Sequence, residues 1–206
     1  MDSKGKPNSN KEIRAFTGQI EVRAEGDEPS RTVSGYAAVF NRDSEEMWGF
    51  IERIAPGAFD EALAVSDVRA LFNHDPDKLL ARSTSGTLKL SADETGLRYE
   101  FDAPDTTVGN DLLVMLKRGD VSQSSFGFTV AKQSWEFVED GPDIRTIEKV
   151  DRLYDVSPVT YPAYPDTTVA LRSRDEAKPA DPDEDEDVIG GELHKVKLMR
   201  YRTRLW

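Results

Sequence analysis

The sequence predicts an α+β domain of mostly antiparallel strands, closed or partly closed into a β-barrel, with a few short helices and disordered segments at both ends. Three observations predict it. Seven or more short segments have strand composition and are bounded by Gly, Pro, Asn or Asp. Only two stretches repeat their apolar residues at helical spacing. Finally, 206 residues without a cysteine suit one domain of about 100–200 residues plus tails, with a core that needs no covalent staple.

The elements follow in order. Ala15–Ala24 alternates loosely and Thr32–Phe40 (TVSGYAAVF) is rich in strand formers, with Gly26, Asp27 and Pro29 punctuating a hairpin or meander. Pro56 opens PGAFDEALAVSD, where Phe59, Ala62 and Leu63 share a helical face and proline suits the first turn. Val68–His74 (VRALFNH) reads as a strand ending in a turn at Asp75-Pro76-Asp77, and Gly86–Ser91 and Leu97–Asp102 as two more. Thr107 is placed to cap a second helix with Val108, Leu112, Leu113, Met115 and Leu116 as its apolar stripe and Gly119 as its stop. Val121–Ala131 and Thr146–Ser157 complete the strands, separated by the acidic loop Glu136–Asp143.

Charge excludes several functions. With 27 Lys+Arg against 39 Asp+Glu the chain stands at −12, a poor balance for gripping phosphates through the body of the protein. Without cysteine there is no thiol nucleophile and no Cys-based zinc site; His74 and His194 are too far apart in sequence to suggest a His-rich metal site. No metal or cofactor is expected, although carboxylate sites for Mg²⁺ or Ca²⁺ stay open. Apolar runs fall far short of the ~20 residues that span a bilayer, and the N-terminus lacks the apolar core of a signal peptide. The expectation is a chain used in a cytoplasm-like compartment, binding neither membrane nor nucleic acid.

The charge is also segregated. DEAKPADPDEDED, residues 175–187, holds eight carboxylates and one lysine, whereas LHKVKLMRYRTRLW at the end holds five basic residues and no acid. The expected organisation is a flexible arm over 1–14, a folded domain over 15–172, an acidic disordered linker over 173–191 and a basic amphipathic segment over 192–206.

Three groups in the domain carry chemistry. His74 is the domain's one histidine, at the point where a strand gives way to a turn. In VSQSSFGFTV, alternation separates Phe126, Phe128 and Val130 from Ser125, Gly127 and Thr129, so Ser125 stands beside a bare glycine, with room for an acyl group and a base. In EKVDRLYDVSPV, alternation puts Asp151, Leu153, Asp155 and Ser157 on one face of a neighbouring strand. Singly, each has an ordinary reading: a turn histidine, small residues under a helix, solvated carboxylates. Together they fit a serine that needs a base, and a base that needs a third group to fix its tautomer; with one histidine, that third group is a carboxylate or absent.

The blocks GYAAVFN (35–41), IAPGAF (54–59), ALFNHD (70–75), SSFGF (124–128) and DVSPVTYPAYP (155–165), in this order and spacing, resemble the prohead proteases of tailed bacteriophages, capsid-maturation serine peptidases related to the herpesvirus assemblin proteases. The resemblance covers about residues 15–172. It implies an assemblin-like fold, with His74 as general base and Ser125, before FGF, as nucleophile; Ser124 is the near alternative. Assemblins use a second histidine as third member, and here only His194 would be available. The phage branch uses an acidic residue, best matched by Asp155, with Asp151 and Glu148 as alternatives. No residue is assigned to the oxyanion hole; Arg82 and the chain after Asp155 are candidates by neighbourhood. The resemblance further implies a serine endopeptidase that cuts scaffold segments and the N-terminal part of the major capsid protein, and trims itself, inside an assembling procapsid in the host cytoplasm. A homodimer is a state it makes worth testing. The rival expectation is a non-catalytic capsid assembly or scaffolding factor on the same fold.

Overall fold

A computed structural model of the chain describes residues 10–16, 20–22, 30–161 and 168–178. The chain divides into two units, Met1–Glu176 and Ala177–Trp206, and the fold below is that of the first. Residues 1–9 of the arm expected over 1–14, 179–191 of the linker expected over 173–191 and all of the segment over 192–206, His194 included, lie outside the described residues; residues 12–14, expected in the flexible arm, instead belong to a strand over Glu12–Phe16.

The strands make two sheets. The larger has the order β1 (Glu12–Phe16), β9 (Gln123–Glu136), β10 (Asp143–Val159), β5 (Arg69–Phe72), β6 (Asp75–Arg82), with β4 (Phe50–Ile54) also on β10. The smaller has the order β2 (Ile20–Val22), β3 (Thr32–Val39), β8 (Gly96–Asp102), β7 (Leu88–Ala92). Mixed α+β architecture with few helices is therefore observed. Among the described residues the pairing does not close into a barrel, and the larger sheet is mixed: β4 and β5 both run parallel to β10, one after the other along the same edge. Helix α1 (Asp60–Val65) carries the chain between them, so two short strands use one long one.

Local sequence explains most elements. Helix α2 (Thr107–Arg118) is capped by Thr106, not Thr107: the Thr106 hydroxyl accepts from the Gly109 amide at 3.2 Å. It stops at Gly119, whose φ of 80° is the left-handed conformation a helix end favours. Phe59, Phe126 and Phe128 form the centre of the core, Phe126 edge-on to Phe59 at 5.7 Å and stacked on Phe128 at 4.8 Å.

Three elements were not expected from the sequence. β4 has weak strand composition and forms because Phe50, Glu52 and Ile54 are buried. β6 begins within the expected Asp75-Pro76-Asp77 turn, because the chain has already reversed at Asn73-His74. α3 (Thr168–Ala177) takes helical backbone past the boundary expected at 172, with Ala170 buried against Met47 and Phe50.

β10 does most to position the site. Its pairing with β9 slips at four places, and at three of them one residue of β10 has no opposite number on β9: Glu148, Asp151 and Tyr154. Alternation through Leu153 and Asp155 is broken by the last of these. Leu153 lies opposite Phe128 in the core, and Asp155 opposite Gly127 on the other face. The expectation that Leu153 and Asp155 share a face is thus overturned by a bulge, which period-two reasoning cannot see.

A buried ion cluster fixes β1 to this sheet. Arg145 donates to Glu12 at 2.7 and 2.9 Å and to Glu52 at 2.7 Å, and Arg14 donates to Glu52 at 2.8 and 3.0 Å and to Glu12. Two arginines and two glutamates cancel, and the Gln133 amide oxygen accepts from Arg145 Nε at 2.6 Å. Burial pushes the Glu12 carboxyl up, but the hydrogen bonds and charges of Arg145 and Arg14 outweigh it and hold it below the usual carboxylate range.

Candidate active site

His74 sits in a two-residue hairpin turn. Phe72 pairs with Asp75, and between them Asn73 and His74 both have φ of 57°, as a type I′ turn requires. Asparagine tolerates that conformation; histidine at the second position, where glycine is favoured, costs about 1 kcal/mol. The turn is held against the end of β10. The Asn73 amide donates to Pro158 O at 3.1 Å, and Asn73 Oδ1 accepts from the Thr160 amide at 2.9 Å.

From that turn the imidazole bridges two strands. Its Nε2 lies 2.6 Å from Ser125 Oγ on β9, and its Nδ1 is hydrogen-bonded to Asp155 Oδ1 on β10. Cross-strand register does the rest: Ser125 lies opposite Ser157, and Gly127 opposite Asp155. Ser157 Oγ donates to Asp155 Oδ1 at 3.1 Å. The other carboxylate oxygen, Oδ2, accepts from Lys11 Nζ at 2.8 Å.

The glycine beside Ser125 was expected to leave room for a substrate. Instead its missing side chain makes room for Asp155 and Lys11: a Cβ on Gly127 would come 2.6 Å from Asp155 Oδ2 and 2.5 Å from Lys11 Cε. The bulge and the glycine together let a buried carboxylate reach the imidazole. Burial pushes the Asp155 carboxyl up, but the hydrogen bond and charge of His74 and the Lys11 ammonium hold it below the usual range, so it stays ionised.

With Asp155 accepting from Nδ1–H, the Nε2 lone pair faces Ser125, and the hydroxyl proton can pass to it as Oγ attacks. Ser125 Oγ also lies 2.9 Å from the Arg14 carbonyl on β1, a second acceptor for the same proton.

The alternatives are not brought to this point. Ser124 Oγ is paired with the buried Tyr99 hydroxyl at 2.8 Å, on the Phe126 side of the strand. Glu148 is paired with Lys132 at 2.6 Å, and Asp151 accepts from the Thr129 hydroxyl at 3.2 Å. Arg82 makes a forked pair with Asp67, at 2.9 and 2.5 Å. Sequence reasoning missed Lys11, which lies in a segment read as a mobile arm. It also missed Asn73 as the clamp on the turn; an Asn before the histidine was the available signal.

Residues 18–181 match the family model described as caudovirus prohead serine protease. The prohead protease of Enterobacteria phage HK97 is 31% identical over 148 residues, a match covering 70% of this chain and 61% of that protein; the chain thus spans about three fifths of that relative's length. A solved structure of the bacteriophage T4 capsid assembly protease covers 73% of this chain, and 96% of its own is matched, at 14% identity and a TM-score of 0.46, a likeness too distant to bear on the site.

Proposed function

The chain belongs to the caudovirus prohead serine protease family, and from that premise we propose that it is a serine endopeptidase in which Ser125 is the nucleophile, His74 the general base and Asp155 the orienting carboxylate. The observation that supports it most is the unbroken hydrogen-bonded series Ser125 Oγ, His74 Nε2, His74 Nδ1, Asp155 Oδ1, drawn from two strands and a strained turn. A packing role would not require a histidine at a left-handed position.

In this reading Ser125 Oγ attacks a scissile carbonyl as its proton passes to His74 Nε2, and the imidazolium is stabilised by ionised Asp155. The imidazolium then protonates the departing amine. Water, activated by the same imidazole, cleaves the acyl-enzyme and returns Ser125 to its starting state.

The substrates in this proposal are scaffold segments, the N-terminal part of the major capsid protein and the chain itself, cut within an assembling procapsid in the host cell. Kinship with the assemblins, a homodimer, and a docking role for the acidic linker and basic terminus belong to the same proposal.

Co-expression with the major capsid protein tests it, with new termini mapped by mass spectrometry. Wild type is expected to generate them, and Ser125→Ala and His74→Ala to lose at least ~10³-fold in rate while remaining folded. Processing by Ser125→Ala at the wild-type rate would overturn the protease reading and leave a non-catalytic assembly or scaffolding factor.

A further inference from the structure

Resting on the serine-protease reading of the same site, we propose that Lys11 is a positioning residue that sets the basicity of His74 through Asp155. Lys11 lies N-terminal to the segment matched by the family model, so the family assignment says nothing of it.

Four observations carry the inference. Lys11 Nζ reaches Asp155 Oδ2 at 2.8 Å, on the oxygen that His74 does not use. The Asp155 side chain is only 3% exposed, so Oδ2 has little access to water as a substitute partner. The ammonium has a built seat: Gly127 leaves the space its Cε occupies, and the Tyr154 ring lies 5.3 Å from Nζ. Finally, β1 is held by the buried cluster of Glu12, Arg14, Glu52 and Arg145, which fixes the backbone that presents Lys11.

The consequence is electrostatic and geometric. A cation on Oδ2 offsets part of the carboxylate's field at the imidazole, lowering the base's proton affinity, and it holds the carboxylate so that Oδ1 faces Nδ1. Other charges around the pair are already engaged. Arg69, opposite Asp155 on β5, pairs with Asp67 at 3.0 Å; Asp75, next to the turn, pairs with Lys78 at 3.3 Å; Arg152 lies over the Tyr154 ring at 5.2 Å. The uncharged groups facing His74 are Ser125 and Ser157.

The test uses the full chain and two readouts. His194→Gln leaves one imidazole in the molecule, whose titration midpoint is followed by NMR. Labelling of Ser125 by a fluorophosphonate probe, which needs no knowledge of cleavage specificity, is followed as a rate against pH. Lys11→Gln, with Lys11→Met as a second charge-free variant, is expected to raise the His74 midpoint and the acid limb of the labelling profile by about 0.5–1 pH unit, and to lower the plateau rate severalfold. Lys11→Arg is expected to restore both positions. An unmoved midpoint in the charge-free variants, or a Lys11→Arg midpoint displaced as far as theirs, overturns the proposal. Absence of labelling in wild type would count against the protease reading instead, and the NMR midpoint would still decide the role of Lys11.

Discussion

Strand β1 and the residue before it feed two polar clusters, and they use their charges differently. Through Glu12 and Arg14 it joins Glu52 and Arg145 in a set with equal numbers of each sign, in which both glutamates are bonded by both arginines. Through Lys11 and the Arg14 carbonyl it touches the second set, Asp155, His74 and Ser125. There the central group is an imidazole with one ring nitrogen toward each neighbour, and the outermost is a hydroxyl with one proton and two acceptors. The first cluster has nothing left to exchange; the second is a line along which a proton can move. Asp155 and Ser125 are as buried as the residues of the first cluster, so burial alone does not distinguish a structural cluster from a reactive one. The distinction lies in whether a neutral group that can pass a proton, here the imidazole between a carboxylate and a hydroxyl, stands within the set.

The largest effect separating the two is expected from Asp155→Asn. It keeps the shape but removes the charge that selects the Nδ1–H tautomer, and the labelling rate of Ser125 is expected to fall ~10³–10⁴-fold. Arg145→Ala should do the opposite. It leaves Glu12 without its main partner, and urea unfolding is expected to show a loss of about 3–5 kcal/mol. In the double variant Glu12→Leu/Arg145→Met, which removes one charge of each sign, most of that stability should return; if it does not, the first cluster is more than a neutral staple.

Acid sharpens the comparison further. Glu12 and Asp155 both titrate below the usual range, so each contributes stability that is fully present above the ordinary carboxylate pKa of about 4 and is lost as pH falls through its lower folded value. Unfolding free energy is therefore expected to drop below about pH 4, and Asp155→Asn should flatten that drop without abolishing it. A drop of unchanged steepness would mean that Asp155 contributes nothing to it. The smallest effect should come from Ser157→Ala, which removes one hydrogen bond to Asp155 Oδ1: about 1 kcal/mol, a severalfold slower labelling rate.

How much of this was legible beforehand depended on whether a residue's role was local. Phe126 and Phe128 on one face of β9 and Ser125 and Gly127 on the other follow from alternation, and the structure agrees. Gly119 as a helix stop is likewise local chemistry. The use of Gly127 was not legible, because what fills its space comes from β10 and from the residue before β1. Nor was the Glu12–Arg14–Glu52–Arg145 cluster, since a charged residue in a strand reads as solvent-facing unless its partners on other strands are known. The strand expected over Val68–His74 runs two residues too far at its end, because the turn that holds His74 uses Asn-His where Asn-Gly would have announced it.

The bulges in β10 bear on how the length of this chain can change. Glu148, Asp151 and Tyr154 stand where β10 has one residue more than its neighbour. Removing such a residue leaves the next one opposite the same partner, whereas removing a paired residue such as Val156 shifts everything after it by one place. Single-residue deletions at 148, 151 and 154 should therefore be silent in the phase of the strand, with Asp155 still opposite Gly127, although the one at 154 also removes the ring beside Lys11. The same change two positions away would turn Ser157 from the site toward the core. β10 thus has built-in slack at three points and none at the two residues that matter to the imidazole.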